Sequence, residues 1–226
     1  MTSIAAGPAA PRTWAKVGVG AQVIFLASWL VAQLWQGPRY SPLAHTISDM
    51  YAVGAPHAWV LLVCLTLAGA GTILFALLGA RPALKAAGWP ALVGSLLLAL
   101  SILGLGDLLS VWERQGCRLA DPGCTSAAQS ANLGGKLDSG LSLFGLFALV
   151  AAGFFLAAAM GRLPALRRFA WPARAFSILL TLLLAATGVA NGVGLGGLFE
   201  RLVATLSAVG VAALAVCLLR TRHRRA

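Results

Sequence analysis

Acidic residues are scarce in this sequence. Its 226 residues hold six Asp and Glu against 17 Lys and Arg, and charged residues together make up 10%. A soluble domain carries about 25%, so a water-facing surface around the whole chain is excluded. Histidine is almost as rare, with only His45, His57 and His223, the last of them in the terminal tail. Two at most could share a site, and zinc centres draw mainly on histidine and cysteine. Metal catalysis is therefore disfavoured, and no metal or other cofactor is expected. A dinucleotide fingerprint is also missing. The glycine-rich "GVANGVGLGG" at 188–197 ends a hydrophobic run, whereas the fingerprint needs a strand before it and a helix after.

What the chain has instead is apolar length. Hydrophobic residues make up 59%, in six runs at about 15–35, 58–79, 90–110, 139–160, 174–195 and 202–219. Each is long enough to cross a hydrocarbon layer of about 30 Å. The expected fold is all-α, a polytopic transmembrane bundle of six helices forming one domain over 14–220. Residues 1–13 and the basic 221–226 are expected as tails. Trp89-Pro90 and Trp171-Pro172 mark the starts of the third and fifth helices, and the second is expected to end near Arg81-Pro82.

The net charge of +11 is distributed by side. One side, with both termini and the connections 80–89 and 161–173, holds twelve basic residues and no acidic one. The other holds Arg39, Arg114, Arg118, Lys136 and Arg201, with all six acidic residues there or at adjoining helix ends. The positive-inside rule makes both termini cytoplasmic. No aromatic residues are interleaved with the basic ones as a stacking platform requires, so nucleic acid is not expected as a partner. Membrane lipid is, and so is a second membrane protein.

Cys64 and Cys217 lie within runs and read as packing residues. Cys117 and Cys124, in "GCRLADPGC", lie on the outer side, where oxidation is permitted. Asp121-Pro122-Gly123 is a turn signal that brings the two sulfurs together. A disulfide is expected there, since the C-x6-C spacing is too wide for common zinc sites.

The connection after the first run, "RYSPLAHTISDMYAVGAPH" at 39–57, is unusually polar. Ser41 as N-cap and Pro42 at the first helical position predict a short extracytoplasmic amphipathic helix of about three turns. At 100° per residue, Leu43, Ile47, Met50 and Gly54 share an apolar stripe, and His45, Ser48 and Asp49 fall together opposite it. That face meets either water or a cavity between the helices. Asp107 lies inside the third run, about one turn before its outer end. A carboxylate there is costly unless it faces protein or water, or is held by a neighbour such as Arg114. Asp138 opens the fourth run, where helix capping is an alternative role. Glu200-Arg201 reads as an interfacial ion pair or cap. Gly188, Gly192 and Gly196 share a helix face, for close helix approach or for a locally unwound segment lining a cavity with Asn191.

The stretch containing Ile47-Ser48-Asp49, followed by an acidic residue near the end of the third run (Asp107) and a cysteine-bearing outer segment (Cys117, Cys124), resembles a bacterial membrane-protein family. That family is catalogued as domain of unknown function 998. The resemblance covers nearly the whole chain and implies six helices in a bacterial plasma membrane. It supplies no activity. In that family a histidine is common near the start of the fourth helix, where this chain has Asp138.

Three functions remain open at this point. The first is lipid- or isoprenoid-headgroup handling at the outer leaflet, enzymatic or binding. Its catalytic candidates are Asp107, Asp49, His45 and Ser48, with Asp107 as general acid or base and Asp49 orienting His45. Asp138, Asn191, Tyr51 and His57 are its ligand-binding candidates. The second is a small proton- or cation-coupled transporter with Asp107 as its protonatable group. The third is a non-catalytic assembly partner that binds through the stapled outer loop.

Overall fold

The computed structural model describes residues 10–223. It is all-helical, with six helices long and apolar enough to cross a membrane. These are α1 (Arg12–Trp35), α2 (Ala58–Ala87), α3 (Trp89–Leu109), α4 (Leu133–Gly161), α5 (Arg167–Gly192) and α6 (Gly196–Arg220). At about 1.5 Å per residue, even the 21 residues of α3 span a hydrocarbon layer. Each helix packs against the next and α6 packs back on α1, so the six form a ring. Large apolar side chains stand outward: Phe147 is 66% exposed, Leu182 63% and Val189 74%. Only a lipid surround makes that surface stable.

The expected tails are only partly in view. Residues 1–9 and 224–226 lie outside the described residues, while helix begins at Ala10 and continues to His223.

Three expected boundaries move. The second helix does not stop at 79. It passes through widened π-type turns at Phe75–Ala80 and a short helix Arg81–Leu84, with Pro82 harmless in that helix's first turn. The fourth helix starts at Leu133 rather than 139, because Asn132 caps it: its Oδ1 accepts the Gly135 N–H at 2.7 Å. Pro172 does not open the fifth helix but lies inside Arg167–Gly192. The chain already reverses at 162–166, so Pro172 falls in the second turn and removes one backbone bond near the helix end.

The glycines of 188–197 do not bring helices together. A Cβ at Gly188 or Gly192 would meet nothing within 4 Å. The helix simply ends at Gly192, and Gly194 takes φ +75° to turn the chain into α6.

α3 is broken where the sequence reads as a continuous run. Its regular part ends at Ala99, Ser101 is extended (ψ 172°), and a π-type segment Ile102–Gly106 leads into Asp107–Leu109. Ser101 keeps the break satisfied: its Oγ donates to Leu98 O at 2.7 Å, and its carbonyl accepts Gly104 N–H at 3.0 Å. Such irregular backbone is tolerated in a membrane only where protein surrounds it. Here a Cβ at Gly145 of α4 would lie 2.6 Å from Ile102 N, and one at Gly69 of α2 would lie 2.6 Å from Gly104 O.

Candidate functional site

The connections 36–57 and 110–132 and the start of α6 meet at one end of the ring, and the opposite end carries most of the arginines. The expected three-turn helix after α1 is not what closes this end. Residues 42–44 form one turn, followed by a bend at 45 and one 3-10 turn at Ser48–Tyr51. Side chains outcompete the helical ladder here. Ser41 N–H donates to His45 Nδ1 at 2.9 Å, and Asp49 N–H to Thr46 Oγ1 at 3.2 Å. Ile47 N–H reaches Glu200 Oε2 on α6 at 3.0 Å.

Ile47-Ser48-Asp49 therefore ties two elements, α6 and the connection 110–132. Ile47 binds α6 through Glu200. Ser48 Oγ accepts from Gln115 Nε2 at 3.1 Å. Asp49, fully buried, accepts Leu119 N–H at 2.5 Å and Gln129 Nε2 at 3.3 Å through Oδ1. The Cys117–Cys124 disulfide is present, with Cα atoms 6.0 Å apart. It closes the turn that presents Leu119 to Asp49. Burial raises the Asp49 pKa, and the Leu119 N–H opposes that rise.

A second layer lies beneath. Gln115 Nε2 also donates to Asp138 Oδ2 at 2.8 Å, and its Oε1 accepts Gln129 Nε2 at 2.7 Å. Tyr51 hydroxyl donates to Asp138 Oδ1 at 3.4 Å. Asp138 thus sits in the second turn of α4 with its carboxylate turned into the bundle, and Asn132 does the capping instead. Asp107 is 7% exposed, and its Oδ2 has no hydrogen-bond partner among the described residues. Glu113, which the sequence did not single out, is 2% exposed, with Oε1 equally unpartnered. Burial first, then the charge of Asp138, pushes the Glu113 carboxyl up to about 8.

The neighbouring arginines do not neutralise these acids. Arg114 donates to the carbonyls of Tyr51 at 3.0 Å and Ala52 at 3.1 Å. Arg118 donates to Gln36 O at 2.9 Å and forms a 3.6 Å ion pair with the half-exposed Asp121. Arg201 donates to the carbonyls of Pro42 at 2.7 Å, His45 at 2.8 Å and Gly197 at 2.9 Å, and to the Tyr40 hydroxyl. Glu200 and Arg201 thus pair with the loop rather than with each other. Tyr40 is pushed up to about 12 by its burial, with Arg201 opposing. Gly197 is required at this junction, since a Cβ there would collide with His45 O and lie 2.7 Å from Pro42 O.

The expected residues separate into groups. Asp49, Ser48, Tyr51 and Asp138 join one hydrogen-bonded network, and Asp107 lies buried close by with Glu113. His45 belongs to the α6 junction, its ring tilted against Tyr40 at 5.5 Å, and it makes no hydrogen bond to Asp49. His57 is exposed, in left-handed backbone at φ 49°, with its ring edge-on to Trp35. Asn191 is exposed, folded over Gly196 at the α5–α6 turn. Among the described residues no group of His, Cys, Asp and Glu is placed to hold a metal ion.

Comparison with known proteins gives one match. Residues 19–217 match the family model described as protein of unknown function DUF998. No curated protein and no solved structure matches.

Proposed function

Because this chain belongs to the DUF998 family of membrane proteins, for which no activity is described, we propose a role from its own geometry: it handles membrane lipid through a carboxyl site. The site is Asp107, Glu113 and Asp138, at the extracytoplasmic end of a multi-pass bacterial plasma-membrane protein with cytoplasmic termini. One observation carries the reading. Among the described residues, one carboxyl oxygen of Asp107 and one of Glu113 are buried and unpartnered, while Arg114 and Arg201 are spent on backbone carbonyls. An unpaired buried carboxyl is costly. It is stabilised by a proton or by a cationic, hydrogen-bond-donating ligand group, and an ammonium headgroup supplies both. Tyr51, Gln115 and Gln129 fix Asp138 and Asp49 on either side, so the site is preorganised.

The test is retention of phosphatidylethanolamine by protein reconstituted in vesicles of that lipid, released into mild detergent and weighed by native mass spectrometry. A specific adduct is expected on the parent protein and lost in Asp107→Asn. An adduct kept in that variant would overturn the reading.

Proton- or cation-coupled transport is the second reading, favoured by the broken α3. A discontinuous helix next to a buried carboxyl is a frequent device of transporters. Proton uptake into vesicles that disappears in Asp107→Asn would select it.

A further inference from the structure

A cavity of about 270 Å³ lies between α3, α4, α5 and α6, away from the carboxyl cluster and toward the arginine-rich end. Its wall is mostly aliphatic and aromatic, including Leu156 and Met160 from α4, Phe169 and Phe176 from α5, and Leu214 from α6, with Ser177 and Ser207 its hydroxyl groups. The volume is slightly below that of ligand pockets, about 300–1,000 Å³, which suits a hydrocarbon chain segment rather than a whole lipid. Part of the wall is open. Val209, 51% exposed, and Ala213, also exposed, line it from α6, where the surroundings of a spanning helix are lipid.

A cation stands at its arginine-rich rim. The Arg168 guanidinium lies 4.6 Å from the ring centre of Phe169, itself a wall residue. Its charge also acts on Cys217, a wall residue on α6. Arg168 is exposed and forms no ion pair with an acidic side chain among the described residues. A greasy chamber open to lipid, with a cation over its rim, is complementary to one amphiphile: an anion on a hydrocarbon chain.

We infer that this cavity binds one acyl chain of an anionic phospholipid from the leaflet that meets the arginine-rich end, with the phosphate on Arg168. The site is separate from the carboxyl cluster and does not depend on the function proposed for it. Phe169 has two roles, closing the chamber and holding the guanidinium by a cation–π contact.

The experiment is native mass spectrometry of protein equilibrated with vesicles of equal phosphatidylglycerol and phosphatidylcholine. One retained phosphatidylglycerol is expected, preferred about fivefold, the effect of a single basic residue near the membrane surface. Ala213→Phe, which fills the chamber from an exposed position, should remove the adduct. Arg168→Gln should keep a lipid but lose the preference, and it decides the question if the first variant does not fold. Asp121→Asn, half-exposed in the loop at the opposite end and outside both sites, should leave both lipid count and preference unchanged. Equal retention of the two lipids by the parent protein would overturn the inference. So would an undiminished adduct in folded Ala213→Phe, or an adduct that disappears in Asp121→Asn.

Discussion

The two ends of the ring use arginine in opposite ways. At the arginine-rich end, Arg167, Arg168 and Arg174 are exposed, and Arg162 makes a single hydrogen bond across the end, to Ala87 O at 3.0 Å. At the carboxyl end, Arg201 is 8% exposed and binds three backbone carbonyls and a tyrosine. The first end leaves its charges exposed. The second consumes most of its cations in holding loops together, and so leaves Asp107, Glu113 and Asp138 without an ion pair among the described residues. Polar chemistry therefore concentrates at one end even though the other holds more charge.

The sharpest way to break that contrast is to remove one arginine from each end. Arg201→Met should cost about 3 kcal/mol or more, since it strands buried carbonyls that had a charged donor. Arg168→Met should stay within about 0.5 kcal/mol, as surface changes do. Thermal unfolding in detergent measures both. Equal losses would mean that the carbonyl contacts of Arg201 carry no special weight.

Removing the Cys117–Cys124 staple comes next. The bond closes a short loop, with a sequence separation of 7, and such a loop contributes roughly 2–3 kcal/mol. Cys124→Ser should lower the unfolding midpoint accordingly, and reductant should reproduce the loss in the parent protein. The same change should loosen Leu119 from Asp49, visible as faster amide exchange at Leu119. Gly197→Ala is a smaller perturbation, about 1–2 kcal/mol, because its Cβ meets the carbonyls of His45 and Pro42. Its signature is local, with exchange accelerating over 41–47 while the arginine-rich end is unaffected.

These effects also mark what was legible beforehand. Six helices, the disulfide and the burial of Asp107 followed from hydropathy, turn chemistry and the cost of a charge in hydrocarbon. The break in α3 did not, because Gly104 and Gly106 are common in membrane helices and only packing against Gly69 and Gly145 makes the break stable. The three-turn helix was a reasonable periodicity that lost to side-chain bonds from Thr46, His45 and Glu200. A signal for Glu200 and Arg201 existed: neighbours in a helix do not face each other, so each had to find a partner elsewhere. Glu113 left no such trace. It lies six residues after Asp107, beyond the helix end, where periodicity stops predicting direction.

Glu113 gives the finest test of the contrast, through pH. Its carboxyl is pushed up to about 8 in the folded protein, chiefly by burial, against an ordinary value of about 4.3. Between those values the folded state binds a proton that the unfolded state has released. Stability should therefore be fully present below about pH 4, and should fall as pH rises toward about 8. Glu113→Gln keeps the shape and cannot ionise, so its unfolding midpoint should decline less over pH 5–8 and exceed the parent's at pH 8. Parallel pH curves for the parent and Glu113→Gln would mean that a counter-ion reaches Glu113 after all, and the end would then be less starved of cations than its geometry implies.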